Sequence, residues 1–279
     1  MRAVTAPGRW VWGVSGLVTA AAIAVPGTYL ITAAGTYHGG APPQSAVTRT
    51  VTVPQPVTAL TVQTYGGQAL VVTGPVGRVQ VTETISYDPQ VGPPAVTESV
   101  ADGRLSLGDP ACAESDCNVD FKVTVPPDVT VIAATQGGAL VVSGTAGANL
   151  DSGGGDVHAT RIDGPLTVTT GGGNLMVSGL TGALRADTAG GNLIVRGVTA
   201  ATATVTTGGG DAAVAFAAAP DTVTVSTDGG AALLTVPGGP YALTADSDGG
   251  SQMIGIATDP AARPSLTVTS GGGPLQIEP

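Results

Sequence analysis

Apolar residues recur two positions apart along this chain, and each such pair follows a cluster of two or three glycines. Leu175 and Val177 stand two and four positions after Gly173, and most repeats carry apolar residues at the same offsets. The repeat after Gly250 keeps Ile254 but has Gln252 at the first offset. Apolar residues at period two predict strands with one buried face. The clusters end 17 to 23 residues apart, at Gly138, Gly155, Gly173, Gly191, Gly210, Gly230, Gly250 and Gly273.

A second strand is predicted before each following glycine cluster, as shown by Leu184 with Ala186 and by Val223 with Val225. Each repeat therefore comprises two strands, a turn and a glycine corner, a unit that we call a rung. One rung cannot bury its apolar row alone, whereas stacked rungs share a continuous core. The pattern predicts an all-β fold, a β-solenoid of the β-helix type with two-strand rungs of about 18–20 residues. The corner glycines are expected to supply positive φ angles.

A polar residue follows the glycine corner in four consecutive rungs, and stacking would align these residues as a polar ladder. Two interpretations stand side by side: turn residues that bond the local backbone, and a calcium site. The known calcium-binding repeat has a period of nine residues, about half of this one, so turn chemistry is favoured and no metal or cofactor is predicted. The ladder consists of Asp156, Asn174, Asn192 and Asp211.

Threonines occupy the outward positions of several second strands. A regular T-x-T pattern on a flat face is typical of ice-binding proteins, but threonine is also a common strand residue on solvent faces. Arg185, Asp187 and Asp246 interrupt the pattern. The sequence therefore indicates a candidate surface-binding array made of Thr167, Thr169, Thr204, Thr206, Thr267 and Thr269.

The composition limits the classes of partner. Hydrophobic residues make up 42% of the chain, but aromatic residues only 3%, and the net charge is −10. The apolar residues are periodic, which indicates a β-rich fold and not a disordered chain. An acidic surface argues against nucleic acid and against an anionic membrane surface as partners.

The N-terminal part of the chain predicts an anchor. Residues 1–9 are a short basic segment, which places them in the cytoplasm. Residues 10–37 carry no charged side chain and are long enough to cross a bilayer, so they predict a single transmembrane signal anchor. The alternative is a signal peptide cleaved at Ala22-Ile23-Ala24 and a secreted domain. Residues 38–46 form a Gly/Pro-rich linker.

The remainder divides into an irregular β-rich start of the solenoid, residues 47–134, and the regular repeats, residues 135–279. Strands are expected in the irregular part at 47–53, 57–64, 68–73, 77–86, 96–100, 103–107, 118–125 and 129–134. Cys112 and Cys117 lie between the sixth and seventh of these. Their spacing does not match a zinc site, and in an exported domain they most simply form a disulfide. A redox-active pair is the alternative, which acidic neighbours disfavour.

Catalytic chemistry has little support in the sequence. His158 is the only histidine of the predicted folded part, and it stands at an outward position. The carboxylate pairs Asp246/Asp248 and Asp151/Asp156 could act as acid and base in sugar hydrolysis, but they lie at glycine corners where aspartate is common anyway. No nucleophile elbow, zinc-protease motif or phosphate-binding loop is present.

The segment FKVTVPPDVTVIAATQGGALVVSG (121–144), followed by repeated strand-GG-strand units, resembles the DUF4097 family of bacterial β-strand repeat proteins, which are also described as adhesins. The acidic segment CAESDCNV (112–119) is similar to that of actinobacterial members. The resemblance covers about residues 47–279. It implies a β-solenoid at the cell surface without established catalytic residues.

The sequence thus predicts a non-enzymatic, extracytoplasmic module of the cell envelope with a structural or adhesive role. It would be held in the membrane by its N-terminal helix and would bind an envelope glycan or protein. A homo-oligomer is possible through a stack end left open at Pro279. The alternatives are a sensory or regulatory ectodomain in envelope stress and a β-helical carbohydrate-active enzyme.

Overall fold

A computed structural model of the chain describes residues 44–75, 77–113 and 116–279, and these form an all-β structure. The predicted transmembrane segment 10–37 lies outside the described residues, as do residues 1–9 and most of the linker. Among the described residues no helix is long and apolar enough to cross a membrane. Pro110–Ala113 form a single 3-10 turn. The strands are β1 Ser45–Val53, β2 Ala59–Thr64, β3 Ala69–Thr73, β4 Val79–Tyr87, β5 Thr97–Ala101, β6 Arg104–Gly108, β7 Asn118–Val125, β8 Thr130–Thr135, β9 Leu140–Ser143, β10 Gly147–Ser152, β11 Val157–Ile162, β12 Leu166–Thr170, β13 Leu175–Leu180, β14 Leu184–Thr188, β15 Leu193–Val198, β16 Thr202–Thr207, β17 Ala212–Phe216, β18 Thr222–Thr227, β19 Ala232–Thr235, β20 Ala242–Asp246, β21 Gln252–Ile254, β22 Ser265–Ser270 and β23 Leu275–Glu278.

The strands belong to two sheets that are mostly parallel. Sheet A has the order β1-β4-β7-β3-β9-β11-β13-β15-β17-β19-β23-β21, and sheet B has the order β20-β22-β18-β16-β14-β12-β10-β8-β2-β6-β5. From β8 to β19 consecutive strands alternate between the sheets, so each strand pairs with the strand two positions later. Equivalent residues of successive rungs are therefore neighbours, as with Leu175 and Leu193.

The predicted inward residues form the core between the sheets. Leu175, Val177, Leu193 and Val195 are at most 1% exposed, and they belong to one cluster of buried residues that runs from Val53 to Ile277. The predicted period-two pattern therefore holds in the regular repeats. Small aliphatic side chains suffice because the two sheets enclose a thin core.

The C-terminal rungs do not stack in chain order. The last rung, β22 with β23, lies between β18/β19 and β20/β21. The prediction that the stack ends at Pro279 is therefore wrong, because β20 and β21 form that end. Ile254, predicted to point inward, is 44% exposed. The physical reason is composition. The rung with Gln252 has a polar residue at one of the two inward positions of its strand, so it is less suited to the interior of the stack. Leu275 and Ile277 of the last rung are apolar at both positions and are fully buried.

The strands between residues 45 and 135 extend the same two sheets. All eight strands expected in residues 47–134 are present, with bounds that differ by at most two residues. The rung β2/β3 lies beside β8/β9 and is followed by β6/β7. Beyond this rung the pairing is antiparallel. In sheet B, β5 pairs with β6, and in sheet A, β4 lies between β7 and β1 and pairs with both. This end of the stack thus closes with antiparallel strands.

Most corner glycines are required for a reason other than the expected one. Gly249 and Gly272 have the expected positive φ, but Gly155, Gly173, Gly191 and Gly210 do not. A Cβ on Gly173 would instead lie 2.1 Å from the carbonyl oxygen of Gly155 in the preceding rung. The backbones of successive rungs approach so closely at this corner that no side chain fits.

Candidate functional site

The polar ladder joins successive rungs through its side-chain oxygens. Asp156 Oδ1 accepts a hydrogen bond from the backbone N–H of Asn174 at 2.7 Å, and Asn174 Oδ1 accepts one from Asn192 N–H at 3.1 Å. In the same way, Asn192 Oδ1 accepts a hydrogen bond from Asp211 N–H, and Asp211 Oδ1 accepts one from Ala231 N–H. These oxygens thus satisfy backbone donors of the next rung and not of their own turn. Within the part of the chain that the structure describes, no group of three or more His, Cys, Asp or Glu side chains could hold a metal ion.

A second ladder, inside the corner, was not recognised in the sequence. Thr207 is fully buried, and its hydroxyl accepts a hydrogen bond from Gly210 N–H at 3.0 Å while it donates to Gly191 O at 3.1 Å. Thr135, Thr170 and Thr188 likewise donate to a glycine carbonyl of the neighbouring rung. The hydroxyls of Ser152, Thr227, Ser247 and Ser270 instead donate to the last glycine of their own corner. A sequence signal existed, since a threonine or serine stands three residues before the last glycine of each cluster: Thr135, Ser152, Thr170, Thr188, Thr207, Thr227, Ser247 and Ser270.

The predicted threonine array lies on the outer face of sheet B, but it is divided. Thr167 and Thr169 on β12 are separated from the rest by β14, where Arg185 and Asp187 form an exposed ion pair with a 3.7 Å N–O distance. The remaining residues are continuous. Asp246 was expected to interrupt them, but β22 pairs directly with β18, which leaves Asp246 on the end strand.

Three adjacent strands, β16, β18 and β22, present nine hydroxyl side chains in register on this outer face. Hydroxyl residues on neighbouring strands are about 4.8 Å apart, and successive outward residues of one strand are about 6.7 Å apart. Thr269 Oγ1 and Ser226 Oγ lie 2.9 Å apart, so neighbouring hydroxyls can bond to one another. We call this set the hydroxyl grid; its rows are Thr202, Thr222, Ser265, then Thr204, Thr224, Thr267, then Thr206, Ser226, Thr269.

The candidate catalytic residues are not assembled into a site. His158 is half-buried on the outer face of sheet A, where its neighbours in the adjoining strands are Val141 and Met176. Asp246 and Asp248 are exposed, and Asp246 Oδ1 accepts a hydrogen bond from Asp248 N–H at 3.1 Å, which is turn chemistry. Asp151 lies on the outer face of sheet B, whereas Asp156 belongs to the ladder that precedes β11 in sheet A.

The two cysteines form the predicted disulfide. Cys112 and Cys117 are bonded, with their Cα atoms 5.2 Å apart. Cys112 is buried and belongs to the 3-10 turn that connects β6 with β7. The bond closes a short loop at the antiparallel end of the stack.

A buried charge cluster near this end was missed in the sequence. Glu83 on β4 points inward and its side chain has no exposed surface, while its Oε2 lies 2.8 Å from Arg49 Nη2 of β1. Glu98 Oε2 lies 3.5 Å from the same nitrogen. Burial raises the pKa of Glu83, Arg49 opposes this increase, and Glu98 adds to it. The signal was a glutamate in the inward series Val79, Val81, Glu83, Ile85.

Asp109 is a second buried carboxyl. It accepts hydrogen bonds from Thr64 Oγ1 at 3.0 Å and from Tyr65 N–H at 3.2 Å. Burial raises the pKa of Asp109, and these hydrogen bonds oppose the increase. The carboxyl holds the start of the β2–β3 corner against the loop that follows β6.

Glu83 and Asp109 are expected to make the protein more stable in mild acid than at neutral pH. Because folding raises both pKa values, the folded protein binds these protons at a higher pH than the unfolded chain. The stabilisation of the folded state by this proton binding therefore grows as the pH falls from the raised pKa values toward the ordinary values of 4.5 for Glu83 and 3.8 for Asp109. It is complete below those ordinary values. Thermal unfolding at pH 7 and at about pH 5 measures the gain.

The Glu83→Gln variant should show a smaller rise in melting temperature between the two pH values than the wild type, because it lacks one of the two buried protonation sites. Asp221→Asn is the matched control, since Asp221 is exposed and its removal changes the net charge equally. An equal rise in the Glu83→Gln variant and the wild type would contradict the assignment.

Comparisons with known proteins place the chain in a family. A search of curated proteins finds no match. The family model DUF2807, "Putative auto-transporter adhesin, head GIN domain", matches residues 84–240, more than half of the chain. This is not the DUF4097 family that the sequence resembles, although both descriptions are of adhesins.

Several solved structures are similar to this chain, including the following three. Two are adhesins described as putative, from Bacteroides fragilis (14% identity, TM-score 0.48, 82% of this chain and 96% of that chain) and from Parabacteroides merdae (14% identity, TM-score 0.49, 83% and 95%). The third is a putative lipid binding protein from Parabacteroides distasonis (14% identity, TM-score 0.45, 82% and 96%). On the strength of the family match over residues 84–240, the chain belongs to the DUF2807 family of putative auto-transporter adhesin head GIN domains.

Proposed function

We propose that this protein is a non-enzymatic adhesion module of the cell envelope, and that the hydroxyl grid is its binding face. Residues 44–279 would form a β-solenoid outside the cytoplasm. The uncharged segment 10–37 would anchor it, and residues 38–46 would separate it from the membrane. The family match supports an adhesive role. The regular arrangement of hydroxyl side chains on β16, β18 and β22 is the observation that supports this face as the binding surface.

The alternation of strands between two sheets supports the solenoid. Each rung pairs in parallel with its neighbours at a register in which apolar residues coincide, as in Leu166 with Leu184 and Leu184 with Ala203. Such stacking makes outward positions repeat as well. A surface of regularly spaced side chains follows directly from the repeat.

The chemistry of the grid suits an uncharged polymer rich in hydroxyl and amide groups. Each hydroxyl can donate one hydrogen bond and accept two, so the face complements donors and acceptors alike. No charged residue lies within the nine positions. Binding through this face is therefore expected to depend little on salt, although the chain has a net charge of −10.

Purified residues 44–279, which contain every strand of both sheets, are expected to co-sediment with isolated cell-wall material at low and at high salt. Thr224→Arg, at the centre of the grid, should weaken binding by about tenfold or more, because a long cation covers the neighbouring hydroxyls. The matched control is Thr160→Arg on the outer face of sheet A, which should bind like the wild type. Binding that disappears at high salt, or that both variants weaken equally, would refute the proposed face. Absence of binding at either salt would indicate a protein partner instead.

A further inference from the structure

Strand β1 has a partner on only one side within the part of the chain that the structure describes. All nine of its residues pair with β4, from Ser45 opposite Tyr87 to Val53 opposite Val79, without a shift of register. β1 is the first strand of sheet A, and among the described residues no strand pairs with its other side. Among residues 44–75, 77–113 and 116–279, no strand occupies the backbone N–H and C=O groups on that side of β1.

This edge lacks most of the features that usually prevent strands from pairing between molecules. Natural edge strands are short or bulged, or they carry proline, lysine or an inward-pointing charge. At the opposite end of sheet A, β21 has only three residues. β1 has nine residues, with no proline, no lysine and no bulge. Its one charged side chain, Arg49, points inward, but Glu83 and Glu98 of the same molecule compensate its charge. The edge of β1 is thus suited to strand addition.

The sequence of β1 is complementary to itself. Residues 47–53 read VTRTVTV, which is almost the same in both directions about Thr50. Antiparallel pairing about a two-fold axis at Thr50 places Thr48 opposite Thr52, Val47 opposite Val53, and Arg49 opposite Val51. Threonine pairs of this kind stabilise antiparallel strands, and the two arginines do not face each other. β1 and β4 already show such pairing, since Thr50 Oγ1 lies 3.2 Å from Thr82 Oγ1.

We propose that two copies of this chain associate through β1, in antiparallel pairing centred on Thr50, so that their two A sheets become continuous. A two-fold interface uses the same surface on both copies, as this strand does. Charge permits the contact, because β1 carries no carboxylate in a chain of net charge −10. The buried area is small, roughly 30 Å by 10 Å per copy for nine residues, which predicts a weak, concentration-dependent dimer.

Cysteine substitution in the full-length chain, expressed in intact cells, tests this geometry. Paired residues of antiparallel strands have Cα atoms about 4.5–5.5 Å apart, within the range that a disulfide bridges. In the proposed register Thr50 faces Thr50 of the second copy, so Thr50→Cys should form a disulfide-linked dimer under mild oxidation, which reduction reverses. The chain has two cysteines, both bonded to each other, so the new thiol is free.

The matched control is Thr52→Cys, which is equally exposed on the same strand. Its two copies would be four residues out of register, about 13 Å apart, too far for a disulfide. Co-expression of Thr48→Cys with Thr52→Cys should restore a linked dimer. Absence of dimers from Thr50→Cys, or equal dimer formation by Thr50→Cys and Thr52→Cys, would overturn the proposal.

Discussion

Replacing Gly173 with alanine is expected to destabilise the protein by about 3 kcal/mol or more, the largest effect of any single substitution considered for the repeats. The new Cβ would lie 2.1 Å from the carbonyl oxygen of Gly155 and 2.4 Å from its carbonyl carbon. These are backbone atoms of the preceding rung, fixed by the parallel pairing of β11 with β13. The clash can be relieved only by separating two rungs, which also strains the bonds on either side.

The adjacent Gly172 provides the matched control. A Cβ on Gly172 would meet nothing within 4 Å, and its φ is not in the left-handed region, so Gly172→Ala should change stability by less than about 1 kcal/mol. Chemical denaturation of residues 44–279 and of both variants measures the difference in the free energy of unfolding. Equal stability of the two variants would show that the rungs are not packed as closely at this corner as the structure has them.

The comparison of these two glycines shows what the sequence could predict. The positions of the corners followed from the spacing of the clusters, and the buried rows followed from residues such as Leu175 and Val177. The reason why a position such as Gly173 requires glycine could not be predicted, because a sequence contains neither φ angles nor the distance between rungs. Positive φ and close backbone approach both favour glycine, and only the structure distinguishes them.

The order of the C-terminal rungs also could not be predicted from the sequence. Every rung presents apolar rows of similar size, so each row can pair with almost any other, and periodicity alone does not specify the neighbour. Two weak signals were present: Gln252 at an inward offset, and a longer step of 23 residues before Gly273. The hydroxyl grid depends on this order, because it is continuous only when β22 lies beside β18. The six threonines of the candidate array could therefore be named in advance, but not their arrangement.

The buried hydroxyls of the corner provide the second large expected effect. Thr207→Val keeps the shape of the side chain but removes the hydroxyl that accepts from Gly210 N–H and donates to Gly191 O. Both backbone groups are then left without this partner in a fully buried position, so we expect a loss of about 1–3 kcal/mol in the free energy of unfolding. Thr207→Ser, which keeps the hydroxyl, should lose less.

Thr206 is the matched control, because it is the preceding residue of β16 and its side chain points outward into the hydroxyl grid. Thr206→Val should change stability by no more than about 0.5 kcal/mol, since its hydroxyl is not required by a buried backbone group. Denaturant unfolding of the three variants separates the two roles that threonine has in one strand. If Thr206→Val and Thr207→Val cost the same, the inner hydroxyls do not hold the corners together, and the rungs must be stabilised by apolar packing and strand pairing alone. If Thr207→Val alone is costly, a buried hydroxyl bridge joins the two rungs at this corner, and the outward threonines are free to serve binding.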